Sequence, residues 1–399
     1  MSSVAILFLA FIAAAYASTD GASLRLAEAN NILGVNLLKA LPTGKNHVFL
    51  SPFSISMAMS MVYHGARGVS EKELQRVLGY EAAGLGGSED LLSATRKFFQ
   101  DRERNKDVVL EVANAVLVNR SFPVVESYKK DLQDIFEARL KEVDFLTESQ
   151  SVVSEINQWV SSKTRGKISN VVSDLPRETV LFLMNAVYFK GDWTTKFIAK
   201  QTKKLPFYNY GETVKQVDTM VKTSKYMYGA SSELNAGLVE LPYKGHEFSM
   251  VVVLPHERDG VQKLLTDLTA AKLQNAVNAM SPAIVNLRLP KFKLESQYSL
   301  VEQLRSLGAE SIFGSKANLT GINESGELVL SDVIHKAVVE VNEKGSEAAA
   351  FTGIAFGRKT SARVRTPQVI HFKVDHPFLF FIRSMASDFI LFMGAVHEL

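Results

Sequence analysis

The chain runs to 399 residues, 46% of them hydrophobic, with 45 Lys and Arg against 42 Asp and Glu and no cysteine. A net charge of +3 and a pI near 8.7 are too mild to imply a nucleic-acid partner. Without cysteine there is neither a thiol nucleophile nor a disulfide, so the fold must rest on its own core. No linker-like stretch, composition break or internal repeat divides the chain, which argues for one large domain.

Met1–Ala17 carries an apolar run, Val4–Ala15, closed by Ala15-Tyr16-Ala17, the small-x-small pattern of a signal-peptide cleavage site. The run is too short to span a bilayer, so a signal peptide over 1–17 and a secreted mature chain over 18–399 are expected, with no membrane segment. Leu24–Leu41 shows amphipathic helical spacing, and Pro52 opens a helix over Phe53–Tyr63 that is apolar nearly all round. Ser70–Leu78, Asp90–Arg102 and Val152–Ser162 read as further helices. Val108–Val118 alternates like a strand, and Val180–Phe189 is a continuous apolar run suited to a strand covered on both faces. Phe248–Leu254, Ala283–Leu289, Phe372–Val374, Phe378–Ile382 and Ile390–Val396 make the second half rich in strands, an α+β arrangement.

Between those strands lies an unusual segment. Val338, Val339 and Val341 end a strand; the chain then turns small and featureless from Gly345 through Ala350 and reaches a basic pair, Arg358-Lys359. On a strand, Ser346, Ala348, Ala350 and Thr352 share one face, and Glu347, Ala349 and Phe351 the other. Such residues suit a stretch that is exposed in one state and inside a sheet in another.

This segment, EKGSEAAAFT, resembles the hinge and reactive-centre loop of the serpins. So do VFLSPFSIS (Val48–Ser56), GARGVS (Gly65–Ser70), NAVYFKGDWTTKF (Asn185–Phe197), ELPY (Glu240–Tyr243) and LPKFKL (Leu289–Leu294). ANLTGI (Ala317–Ile322), LSDVIHK (Leu330–Lys336), HPFLFFIR and FMGAV complete the series in order. The style of loop and signal resembles secreted arthropod serpins of the tick type.

The resemblance implies a single α+β domain with three β-sheets, eight to nine helices and an exposed loop over about 343–368. It implies a monomer without cofactor or metal that inhibits serine proteases by suicide cleavage. The hinge would comprise Glu343, Gly345, Ser346, Glu347, Ala348, Ala349, Ala350 and Thr352. Counting along the loop as in inhibitory members places the scissile bond at Lys359–Thr360, with Arg358, Arg363 and Arg365 as alternatives. Any of these presents a cation to a trypsin-like protease. Ser51, Ser54, Asn185 and His335 fall in the blocks beneath the main sheet and are expected to form a hydrogen-bonded switch that holds its central strands together. The other functional class is a non-inhibitory serpin acting as carrier, chaperone or storage protein.

The motif inventory gives no enzyme: no nucleophile elbow, zinc-protease helix or phosphate loop is present. Sequons stand at Asn119, Asn318 and Asn323. Arg96, Lys97, Arg102, Arg104 and Lys106 cluster on one helix and the loop after it. By analogy with heparin-regulated serpins they are candidates for a glycosaminoglycan site, although Asp101, Glu103 and Asp107 dilute the field.

Overall fold

A computed structural model describes residues 21–42, 47–102, 108–345 and 368–399, without the side chains of residues 99–102. The signal segment, the hinge from Ser346 onward, the basic bonds at Arg358, Lys359, Thr360, Arg363 and Arg365, and the cations Arg104 and Lys106 lie outside the described residues.

Helix α1 (Gly21–Ala40) buries Leu26, Leu33 and Leu37 along one stripe, as its spacing predicts. Helix α2 (Pro52–Gly65) buries every residue but His64. Its start is fixed by Pro52 and by the side chain of Ser51, which accepts from the Ser54 amide. The helices α3 (Gly68–Val77), α4 (Ser88–Arg102), α5 (Glu126–Asp134), α6 (Ser149–Lys163), α7 (Val261–Asp267), α8 (Ala270–Asn278) and α9 (Val301–Ser306) complete the described helices.

One sheet has five strands in the order β10 (Phe292–Ser299), β11 (Leu330–Val341), β4 (Leu181–Gly191), β2 (Val108–Asn119) and β3 (Arg139–Val143). A second hydrogen-bonded path runs β1 (Val48–Leu50), β14 (Ile390–Val396), β13 (Phe378–Ser384), β8 (Phe248–Pro255), β7 (Ala236–Pro242), β6 (Thr213–Ser231), β9 (Ser281–Pro290) and β12 (Val369–Lys373). Strand β5 (Lys203–Asn209) pairs with β6 off this path.

Strand β6 has three partners: β5 along Thr213–Thr219, β9 along Thr219–Tyr228 and β7 along Met227–Ser231. The nine-stranded path is therefore two sheets sharing one long strand, which with the five-stranded sheet makes three. Pro206 sits in β5, which among the described residues pairs with β6 alone, where a missing amide donor is tolerated.

The principal core lies between one face of the five-stranded sheet, the helices α1 and α2, and the second path. Phe49 stacks on Phe380 and Phe392 at 5.9 and 5.7 Å, and Phe292 meets Phe380 at 5.3 Å. A smaller core fills the space between the other face and α6, with Ile156 and Val160 above Met184 and Ala186.

Candidate functional site

The two middle strands of the five-stranded sheet, β4 and β11, run parallel. They pair from Leu181 with Leu330 to Tyr188 with Val338, with one irregularity between Leu330 and Asp332. Beyond that point they part. Strand β11 follows β10 up to Val341, paired with Phe292, whereas β4 follows β2 up to Gly191, paired with Val108. A cleft of about 250 Å³ opens between the diverging ends, lined by Tyr188, Lys190, Lys291, Glu340 and Glu343 among others. At the other end of the pair, Phe182, Ser331, Asp332 and Ile334 line a cavity of about 410 Å³.

Four residues named from the sequence meet beneath the middle of this pair. Asn185 and His335 are register partners on the face toward α2. The His335 Nδ1 lies 2.9 Å from Asn185 Oδ1 and its Nε2 accepts from the Ser51 amide at 3.1 Å. A backbone N–H can only donate, so the proton of this imidazole is on Nδ1 and points to the Asn185 oxygen. Burial pushes the His335 pKa down to about 3, consistent with a ring that must stay neutral to accept from Ser51. Ser51 Oγ donates to the Leu391 carbonyl at 2.6 Å and accepts from Ser54 N at 3.2 Å; Ser54 Oγ approaches His335 Nδ1 at 3.5 Å. Asn185 Nδ2 donates to Asn114 Oδ1 at 2.5 Å, which carries the polar row into β2. Asn114 was not singled out from the sequence. Its signal is an amide within the otherwise apolar run Val112–Val118.

At the open end the chain leaves β11 through a tight turn. The Gly345 amide donates to the Asn342 carbonyl at 3.2 Å, and Gly345 has φ +94°. A Cβ there would stand 2.4 Å from both Gly191 O and Trp193 N, so only glycine fits on both counts. Three bonds pin the turn to the segment after β4. Trp193 Nε1 donates to Asn342 O at 2.9 Å, Trp193 N to Lys344 O at 3.0 Å and Phe197 N to Glu343 O at 2.9 Å. Glu343 accepts from Thr202 Oγ1 at 2.8 Å and pairs with Lys291 at 3.0 Å. Burial alone would raise its pKa, but these partners hold the carboxylate below its ordinary value. Trp193, Thr202 and Lys291, which hold the turn after β11, were not read as site residues.

The opposite face of the strand pair is covered by α6 and the segment after it. Lys336 Nζ, on a residue only 7% exposed, donates to Ser169 O at 3.0 Å and pairs with Glu295 at 3.0 Å. Gln297 Nε2 donates to Val171 O at 3.0 Å. These two bonds tie the covering segment down across β10 and β11.

The remaining predicted positions are dispersed. Arg96 is exposed on α4 and Lys97 is half-buried. Asn119 and Asn318 are half-buried, whereas Asn323 is 4% exposed and donates through Nδ2 to Pro123 O at 2.8 Å. A glycan on Asn323 would have to leave through a site where the side chain is buried, using the Nδ2 hydrogen not donated to Pro123 O. Among the described residues no helix is long and apolar enough to cross a membrane.

Comparison with known proteins adds to this geometry. The family model described as serpin (serine protease inhibitor) matches residues 28–399. Iripin-2 of Ixodes ricinus is 41% identical over 98% of this chain and 97% of its own. Intracellular coagulation inhibitor 1 of Tachypleus tridentatus is 36% identical over 94% and 90%. The crystal structure of Serpin48, described as a highly specific serpin of the insect Tenebrio molitor, superposes with a TM-score of 0.82 at 32% identity, covering 94% of this chain and 98% of that one. With a family match over residues 28–399 and a relative 41% identical over nearly the whole chain, the chain belongs to the serpins, the serine protease inhibitor family.

Proposed function

We propose that the protein is a secreted suicide inhibitor of trypsin-like serine proteases. The observation that carries this reading is the parallel β4–β11 pair, open at the end where the hinge departs. A segment that turns back at Gly345 runs antiparallel to β11, and therefore antiparallel to β4 as well. Its entry replaces one parallel ladder by two antiparallel ones, the more stable pattern per residue. About 12 inserted residues, at ~0.5–1.5 kcal/mol per net hydrogen bond, release on the order of 10 kcal/mol.

In this mechanism the protease serine attacks the carbonyl carbon of Lys359. The Lys359–Thr360 bond breaks, the Thr360 amine leaves with the proton, and an ester links Lys359 to the enzyme. The freed hinge, Ser346 through Thr352, then enters the sheet and carries the tethered protease along. Ser51, Ser54, Asn185 and His335 hold the strands together until then. Secretion follows from removal of residues 1–17.

Mixing with trypsin tests the reading. The expected result is a product of summed mass that survives boiling in detergent, with the cut mapped to Lys359. Cleavage without that product sinks the inhibitor reading in favour of a carrier or storage role. A cut trapped at Arg358, Arg363 or Arg365 reassigns the bond and keeps the mechanism. Sequencing the secreted protein should give Ser18 as its first residue.

A further inference from the structure

Outside the group at His335, a second row of polar side chains forms where three helices meet. His64, in the last turn of α2, stands between Ser88, the first residue of α4, and Asp131 of α5. Its Nδ1 lies 2.6 Å from Ser88 Oγ and its Nε2 lies 2.9 Å from Asp131 Oδ2. Ser88 and Asp131 are 24 and 67 positions from His64 in the chain, so no local motif announces the row. Ser88 follows Gly86 and Gly87, but Asp90 stands where a nucleophile elbow has its closing glycine.

The direction of the bonds follows from the chemistry. An ionised Asp131 can only accept, so the imidazole proton sits on Nε2 and Nδ1 is left to accept from the Ser88 hydroxyl. That is the arrangement of a nucleophile, a general base and a carboxylate that orients the base. The ring stacks on Tyr128, with centroids 5.7 Å and planes 16° apart. It also lies at the negative end of α2, where a protonated imidazole is favoured. The side chains of His64 and Asp131 are 15% and 31% exposed and Ser88 is half-buried, so the row reaches the surface. A Cβ placed on Gly87 would meet nothing within 4 Å, which leaves open space beside Ser88. Among the described residues the amides of Ser88, Glu89 and Asp90, which open α4, have no acceptor and supply donors for a developing oxyanion. The carboxylates of Glu89 and Asp90 share that turn. They repel an anionic substrate and offset part of the oxyanion stabilisation, which favours slow turnover of a neutral ester.

We propose that Ser88, His64 and Asp131 form an esterase site for small neutral carboxylic esters, an activity separate from protease inhibition. Ser88 Oγ attacks the ester carbonyl carbon and its proton passes to His64 Nδ1. The bond from that carbon to the alcohol oxygen breaks, the alcohol leaves with the proton, and the acyl group stays on Ser88. Water then attacks the acyl carbon and gives a proton to Nδ1. The carboxylic acid is released and Ser88 recovers its hydroxyl with that proton.

A fluorophosphonate probe on the full chain tests the assignment, because a serine hydroxyl without an adjacent base is too weak a nucleophile to react with it. The probe should lose fluoride and leave its phosphonyl group on Ser88, as located by peptide mass spectrometry. The same chain should hydrolyse p-nitrophenyl acetate, and Ser88→Ala should lower that rate by about ten-fold or more. Asp131→Asn keeps the shape and removes the charge that orients the ring, and should slow labelling of Ser88 by about ten-fold or more. An unlabelled Ser88, or an ester rate unchanged by Ser88→Ala, overturns the proposal and leaves the row as a tie between three helices. Labelling of the parent chain needs no variant, so a misfolded variant cannot imitate the expected result. No trypsin enters either assay, so failure here and failure of the inhibitor reading are distinguishable.

Discussion

His335 keeps one nitrogen on the Ser51 amide and the other on Asn185, with burial pushing its pKa down to about 3. An unfolded histidine takes up its proton near pH 6.5. Between those values the unfolded state binds more protons, so stability is full above about pH 6.5 and falls as the pH falls, by up to about 1.4 kcal/mol per unit. The His335→Gln variant should therefore show a shallower decline of the urea midpoint between pH 6.5 and 4 than the parent. Identical slopes would remove His335 as the acid-sensitive group. Gly345 gives a second test at this scale. Gly345→Ala drives a Cβ into Gly191 O and Trp193 N at a φ of +94°, a strain of about 1–3 kcal/mol. Release of the turn breaks the bond from the Trp193 indole to Asn342, so in a Trp159→Phe background the emission of the remaining tryptophan should shift. An unshifted spectrum would mean that the turn accommodates the methyl.

At the scale of elements, the proposed insertion requires α6 and the segment after it to lift from the β4–β11 pair. Lys336→Met keeps the buried stem and removes the ammonium that holds Ser169 O. The loss of heat-exposed protein's ability to capture trypsin should become several-fold faster, as measured by residual complex formation over time. An unchanged half-life would show that the covering segment is held elsewhere.

The elements with a strong period were legible beforehand. Strand β14 is read at its observed limits, β4 within two residues and α1 within three, because long apolar runs and stripes leave little choice. Strand β6 was not, since TVKQVDTMVKTSKYMYGAS is largely polar and its partners change along its length. The short helices α5, α7, α8 and α9 escaped for a related reason: one or two turns offer too few apolar repeats to set a period. The polar lock was located only through the family blocks. Asn185 and His335 lie 150 positions apart in sequence, and nothing local to either residue states that they touch. The seat of the turn after β11 was missed because Trp193, Thr202 and Lys291 act through geometry that the chain forms only when folded.

For the whole molecule, the parallel pair at the centre of the five-stranded sheet predicts the direction of the energy change. Nicking the loop with a protease that escapes capture should give a product more stable than the intact chain by on the order of 10 kcal/mol. A raised urea midpoint and melting temperature would be seen. A nicked form no more stable than the parent would contradict insertion between β4 and β11. The same pair has an evolutionary consequence. In most proteins a substitution that tightens the core is neutral or helpful to function. Under the proposed mechanism, better pairing of β4 with β11, or a stronger bond from Ser51 to His335, slows the event on which capture depends, and a weaker one lets the sheet close over its own loop before any protease arrives. Selection at these positions acts on a waiting time, bounded on both sides, and the substitutions it tolerates should be those that leave that clock unchanged.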